Sequence, residues 1–210
     1  MSAFITFEGP EGGGKTSQIA ALAEFLKEQG IQVLVTREPG GTEIGDQIRT
    51  VLSNLDNIAM HPRAETLLFL AARAQLVEEV IRKHLEKGWV VLCDRYADST
   101  LAYQGYGHGN DIGQLRALIE FATGGLKPDI TLLLDIDVEE GLRRRVKGGD
   151  WNRMDAYDLA FHQRVRAGYA KLAAEDPGRW VRIDAGKPSE EVQATIRQAI
   201  IERLAIEMGN

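Results

Sequence analysis

A chain of 210 residues with 44% hydrophobic and 27% charged residues has the makeup of a soluble globular domain. Its length supports one core without staples, and its net charge of −6 offers no general attraction to nucleic acid or an anionic membrane. One cysteine, Cys93, excludes an internal disulfide; with no signal-like N-terminus and no apolar run near ~18 residues, the expected compartment is the cytoplasm.

In chain order, the first apolar run is "FITFE" at 4–8, and Gly9-x-x-x-x-Gly14-Lys15-Thr16 follows it directly. A helix is expected over 16–29, stopped by Gly30. "QVLVT" at 32–36 reads as a second strand. A long helix is expected over 63–87, with Ala64, Leu67, Leu68, Ala71, Ala74, Val77, Ile81 and Leu85 as its apolar stripe. "WVVLCD" (89–94), "ITLLLDI" (130–136) and "WVRID" (180–184) complete the strands. Three of the five runs are nearly continuous apolar stretches, as in parallel strands covered on both faces. A short helix fits 98–105, and Asp137-x-x-Glu140 resembles a capping box ahead of Val138, Leu142 and Val146 on one face. Two last helices fit 157–174 and 189–207. The alternation predicts an α/β fold, a single domain over 1–210 with a parallel sheet sandwiched between helices.

The glycine spacing is that of a phosphate cradle. Glycines let the backbone turn successive amide N–H groups toward an oxyanion, and the following helix adds partial positive charge at its N-terminus. Lys15 would reach the β- and γ-phosphates and the Thr16 hydroxyl would sit on Mg²⁺. The loop therefore predicts a nucleoside triphosphate but not, alone, an enzyme.

Four further stretches are acceptor-site candidates. "TREPGGT" (36–42) puts Arg37 and Glu38 at the C-terminal rim of the sheet, beside a rigid Pro39-Gly40-Gly41 turn; a solvated turn would also fit. "CDRYADSTLAYQG" (93–105) places Asp94 where it could hold Mg²⁺ through water and Arg95 where it could grip a phosphate. On a helix there, Ser99 and Tyr103 share one face and Thr100 and Gln104 the next, and an amide with hydroxyls can read a base edge. Phe69 and Arg73, one turn apart and off the main stripe of helix 63–87, suit stacking and carbonyl recognition, although a helix packed on two sides would look the same. "GLRRRVKGGDWNRMD" (141–155) crowds Arg143, Arg144, Arg145, Lys147 and Arg153 together, either as a solvated face or as a basic flap over a triphosphate. The four histidines show no metal-ligand spacing.

Taken together, "FEGPEGGGKT", "TREPGGT", "DRYADSTLAYQG" and "PDITLLLD" resemble, nearly end to end, the thymidylate kinase (dTMP kinase) family. The resemblance implies a P-loop nucleoside-monophosphate kinase fold with five parallel strands. It implies an ATP site at Gly9, Pro10, Glu11, Gly12, Gly13, Gly14, Lys15 and Thr16, joined by Arg143. For dTMP it implies Phe69 stacking on thymine, Arg73 and Gln104 reading the base, and Ser99 and Thr100 at the base edge. Tyr103 would press on the sugar 2′ position with Tyr157 nearby, Arg37 and Arg95 would hold the acceptor phosphate beside Pro39, and Glu11 would lie near the 3′-hydroxyl and the metal. Some family members carry a catalytic Arg in the loop. Gly12 and Gly13 here resemble the other kind, common in bacteria, with Arg153 of a basic lid at about 143–155 supplying the charge. A homodimer is implied, with helix 63–87 as the candidate interface.

The expected reaction is ATP + dTMP → ADP + dTDP with Mg²⁺, with Lys15, Arg95, Arg153 and Glu11 as its catalytic residues. A kinase for another monophosphate or small metabolite is the first rival; a non-catalytic nucleotide-gated binding module is the second.

Overall fold

The computed structural model of the chain describes residues 2–149 and 151–205. Five strands, β1 (Ala3–Glu8), β2 (Val33–Arg37), β3 (Val90–Asp94), β4 (Ile130–Asp135) and β5 (Trp180–Asp184), form one parallel sheet in the order β2-β3-β1-β4-β5. The inner strands β1 and β4 are buried at every residue, which is why their sequences read as unbroken apolar runs. Parallel neighbours need crossovers, so helices cover both faces. They are α1 (Lys15–Glu28), α2 (Glu43–Ser53), α3 (Pro62–Leu76), α4 (Arg82–Glu86), α5 (Ala97–Thr100), α6 (Ile112–Thr123), α7 (Val138–Gly148), α8 (Leu159–Glu175) and α9 (Ser189–Leu204).

The alternation along β1 divides the core. Ile5 and Phe7 face α1 and α9, where they pack with Leu22, Leu26, Ile196 and Ile200. Phe4 points the other way, against Leu76, Val77, Ile81 and Tyr96. Truncating a fully buried leucine such as Leu22 to alanine costs about 2–5 kcal/mol in sites of this kind. Because the strands run in parallel, their C-terminal residues share one rim. Phe7 and Arg37 both pair with Asp94 across the sheet, so the loop after β1 and the ends of β2 and β3 meet there.

Several expectations shift. The helix foreseen over 63–87 is α3, a π-helical turn Val77–Ile81, and α4. Its N-terminal apolar stripe faces outward: Ala64, Leu67 and Ala71 are exposed, while Glu65, Leu70, Arg73 and Leu76 are buried. Charge pairing overrides the apolar period, because the partners of Glu65 and Arg73 lie inside. The short helix over 98–105 is α5 continued by a π-helical stretch, Leu101–Gly107. At Asp137 only half a capping box forms: its carboxylate accepts from the amides of Glu139 and Glu140, but Glu140 turns to Arg143 and Arg144. Val146, expected on the apolar face, is exposed. The helix foreseen to 207 ends at Leu204, and residues 206 and 207, like Asp150 of the lid stretch, lie outside the described residues.

Candidate active site

The glycine loop links the end of β1 to α1. Gly9, Gly12 and Gly14 adopt φ values of 132°, 71° and 77°, in the region that favours glycine. Close approach adds a second reason at two of them. A Cβ on Gly9 would strike the backbone carbonyl of Leu134 in β4, and one on Gly12 would strike that of Gly141 in α7. The loop is thus wedged between β4 and the first turn of α7, with no space for a side chain at position 12.

Lys15 folds back over this loop. Its ammonium donates to the carbonyls of Pro10 at 2.8 Å and Gly9 at 3.2 Å. Burial and the nearby Arg95 lower its pKa to about 8 against the pull of Glu11, Asp94 and Glu8. Thr16, in the first turn of α1, donates its hydroxyl to Asp94 at 2.8 Å across the rim. These two oxygen groups are the hard donor set that a magnesium ion takes. Beside the loop, Gly12, Gly13, Gly14, Arg144, Lys187 and Ser189 line a cleft of about 200 Å³.

Arg95 bridges the loop to the opposite wall. It has a φ of 69°, unusual for a residue with a side chain. Its guanidinium donates to the Gly9 carbonyl (3.1 Å), Glu11 (2.8 Å), the Tyr169 hydroxyl (3.1 Å) and Ser99 (3.4 Å), and it lies 4.9 Å from the Tyr103 ring centroid. Tyr103 also donates to Glu11 at 2.8 Å. Burial alone would raise the Glu11 pKa, but Arg95, Lys15 and the Tyr103 hydroxyl bring it down to about 2. Beneath this group lies Glu8, the last residue of β1. It accepts from the Tyr96 amide, the Ser99 hydroxyl (2.6 Å) and the Tyr169 hydroxyl (2.8 Å). Burial and the like charge of Asp98 push its pKa up to about 7, with Arg95 pulling against them.

Two more buried carboxylates organise the far wall. Glu38 holds Arg73 through both oxygens: Oε2 accepts from Nη2 at 2.5 Å and Nε at 2.8 Å, and Oε1 from Nε at 3.1 Å. Arg73 also donates to the Thr100 hydroxyl at 2.8 Å and to the Tyr96 carbonyl. Burial opposes its charge, yet Glu38 raises its pKa above the ordinary value. Glu65, in α3, meets four groups. Gln104 and Tyr157 donate to it at 2.8 Å each, Arg153 lies at 2.7 Å and His108 Nε2 at 3.2 Å. Those hydrogen bonds outweigh its burial and hold its pKa at about 2.

The profile of the family described as thymidylate kinase matches residues 7–196. The chain belongs to the thymidylate kinase family. A thymidylate kinase of Thermomicrobium roseum is 55% identical over 203 residues, covering 96% of each chain. One of Roseiflexus sp. (strain RS-1) is 53% identical over 214 residues, covering 96% of this chain and 94% of the relative. The crystal structure of thymidylate kinase from Ehrlichia chaffeensis has a TM-score of 0.80 at 33% identity, covering 95% of this chain and 98% of that one. The fold is accordingly that of a P-loop nucleoside-monophosphate kinase.

Against the thymidylate kinase expectations, Lys15, Thr16, Glu11, Asp94, Arg95, Ser99 and Tyr103 meet around the loop. On the far wall Arg73 and Thr100 meet with Glu38 and Tyr96, and Gln104 and Tyr157 meet at Glu65. Phe69 is half-buried in the same helix as Arg73. Pro39 follows a cis peptide bond and its carbonyl accepts from Arg49. Arg37 stands at the rim but is more than half exposed, 3.5 Å from Asp46. Arg143 pairs with Glu140 on the surface. Arg153, which the flap reading put over a triphosphate, is buried in this conformation, 4% exposed. It donates to the Leu52 carbonyl at 2.8 Å and pairs with Glu65. An uncompensated carboxylate at position 65 would be costly, so this conformation stows the arginine on the acceptor side. Glu8, Glu65, Tyr169 and Lys187 were missed by sequence reasoning. A glutamate closing an apolar strand, and another within the first turn of a helix that is otherwise apolar, are the signals that could have flagged the first two.

Proposed function

We propose that this member of the thymidylate kinase family transfers the γ-phosphate of ATP to dTMP, giving dTDP and ADP for dTTP and DNA synthesis. The family makes it a phosphotransferase that takes its phosphate from ATP. The residue-level reading is carried by one observation: the Arg95 guanidinium is bonded at once to the glycine loop, through Gly9 and Glu11, and to the Ser99–Tyr169 wall. A single cation joining both walls is what an in-line transfer between two phosphates needs.

On this reading the loop amides and Lys15 take the β- and γ-phosphates, Lys15 exchanging the Gly9 and Pro10 carbonyls for phosphate oxygens. Thr16 directly and Asp94 through water would hold Mg²⁺, which supplies charge neutralisation on the phosphates when bound. The adenosine end lies in the cleft lined by Arg144 and Lys187. Arg37 and Arg95 take the acceptor phosphate, Phe69 stacks on the base, Arg73 and Gln104 read it with Ser99 and Thr100 alongside, and Tyr103 excludes a 2′-hydroxyl. Glu11 faces the 3′-hydroxyl, with Pro39 and Tyr157 at the margins. The second pKa of a phosphate monoester is about 6, so the acceptor oxygen is already ionised and no general base is required. Catalysis is then positioning and neutralisation.

Residues 143–155 act as a lid on the single domain. For Arg153 to neutralise the transferred group it leaves Leu52 and Glu65, so the lid rearranges between this conformation and the reacting one. The lack of room at Gly12 supports a charge delivered from outside the loop. Exposed Ile44, Val51, Leu67, Leu118 and Phe121 (89%), on the neighbouring helices α2, α3 and α6, support a homodimer. No helix among the described residues is long and apolar enough to cross a membrane, and we assign the enzyme to the cytoplasm. Coupled ADP release with dTMP, dUMP, UMP, AMP and GMP tests the reading. Release dominated by dTMP supports it, and dominance of any other substrate overturns it.

A further inference from the structure

A side-chain amide reads a base only if its two ends are told apart, because one end donates and the other accepts. Gln104 is 2% exposed and sits in the π-helical stretch after α5. Its Nε2 donates to Glu65 Oε1 at 2.8 Å, and its Oε1 takes no hydrogen bond from any described residue. Glu65 has no freedom to reverse this. The Tyr157 hydroxyl at 2.8 Å occupies its other oxygen, joined in this conformation by Arg153 at 2.7 Å, and His108 Nε2 shares the first at 3.2 Å. A carboxylate in such a setting is ionised and accepts only, so the amide NH₂ must face it and the amide oxygen must face away. Arg73 is fixed by Glu38 and by Thr100, four residues before Gln104 in the same helical stretch, and presents donors only.

We infer that Glu65 is a specificity-determining positioning residue: it locks the Gln104 amide so that its oxygen, not its nitrogen, meets the base. The inference rests on the functional reading above. The resulting wall offers a donor at Arg73 next to an acceptor at Gln104. Thymine presents the complementary pair, the O4 acceptor and the N3–H donor. Cytosine presents the opposite pair, the N4 amino donor and the bare N3 acceptor, and is mismatched at both points. With the amide reversed, thymine N3–H would meet an N–H group and cytosine N3 would be welcomed. The carboxylate that discriminates the base thus never touches it. It also ties the reader to Arg153 and Tyr157, at the root of the lid.

The test compares kcat/KM for dTMP and dCMP in the wild type, in Glu65→Gln and in Glu65→Asp. A glutamine at 65 can face Gln104 with either end, so the dTMP-over-dCMP ratio is expected to fall by about 10-fold or more. Glu65→Asp keeps an acceptor-only partner and retains more of the ratio. In Gln104→Leu the reader is gone, and adding Glu65→Gln to it lowers the ratio no further. A purely structural Glu65 predicts a lowered melting temperature with both substrates affected equally, which overturns the inference. The wild type carries a check independent of folding in the variants. The Gln104 NH₂ proton signals, assigned by their loss in Gln104→Leu, stay in place on saturation with dTMP, and a large shift would show the amide turning its nitrogen to the base, which overturns it. Failure of the wild type to phosphorylate dTMP defeats the functional reading instead, whereas dTMP phosphorylation with an unchanged ratio in Glu65→Gln defeats this inference alone.

Discussion

The two walls of the crevice solve the problem of holding charge differently. On the donor side the backbone does it: glycines 9, 12 and 14 turn in the left-handed region, and Lys15 rests on the loop's own carbonyls. On the acceptor side, buried carboxylates do it. Glu8 and Glu65 each collect donors from segments far apart in sequence, Glu38 clamps Arg73, and together they hold Arg95, Arg73, Arg153 and Gln104 directly or through neighbours. A backbone cradle tolerates little substitution but depends on no distant residue. A carboxylate hub can be retuned one side chain at a time, which suits the wall that must tell acceptors apart.

The sharpest way to break this contrast is at Arg95, the residue shared by both walls. Arg95→Ala should lower turnover by roughly 10³-fold, about 4 kcal/mol of transition-state stabilisation. Single-turnover rates at saturating ATP check this, and a rate within tenfold of wild type would remove Arg95 from the transfer. Arg153→Ala should cost stability as well as rate. It leaves Glu65 buried without its cation, a loss of about 3 kcal/mol measurable by urea denaturation, and an unchanged midpoint would show that the ion pair contributes nothing.

The site's buried carboxylates also differ from each other in pH response. Glu11 and Glu65 have folded pKa values near 2, below their ordinary 4.5, so the unfolded chain binds more protons between these values. Their contribution, at most about 3 kcal/mol each, is present above pH 4.5 and is lost as pH falls toward 2. Glu8 behaves oppositely. Its folded pKa of about 7 lies above 4.5, so its effect favours folding below pH 4.5 and weakens as pH rises to 7. Glu8→Gln should flatten that second slope alone, seen by comparing denaturation midpoints at pH 5 and pH 8. The smallest effect is expected at Phe69: Phe69→Ala should raise KM for dTMP by about 1–3 kcal/mol equivalent with kcat nearly kept. A fall in kcat with KM unchanged would argue against stacking.

The donor wall was legible because its information is contiguous: strand, glycines, lysine and hydroxyl occupy residues 4–16 in the order of use. The sheet was legible for the same reason, each inner strand carrying its own burial signature. The acceptor wall was only half legible. Arg73, Thr100 and Gln104 could be singled out as polar groups on helix faces, but their orienting partners are 35, 27 and 39 residues away. Nothing local marks Glu65 as the partner of Arg153, 88 residues on, or Glu8 as that of Tyr169. The same blindness inverted the reading of α3, where an apolar period predicted the buried face and long-range ion pairs chose the other one. The π-helical turns add a second cause, since they displace faces that an α-helical period would align.

The backbone of Arg95, at φ 69°, sets local strain against side-chain pairing at a single position. Glycine would relax that conformation, worth about 1 kcal/mol or more, while any substitution deletes the guanidinium. It would also leave the largely buried Glu11 without its cation, a loss of about 3 kcal/mol that outweighs the relaxation, so even a library sorted for heat resistance alone should keep arginine at residue 95. Retention of arginine there would show that the ion pair, and not the chemistry alone, holds the strain in place.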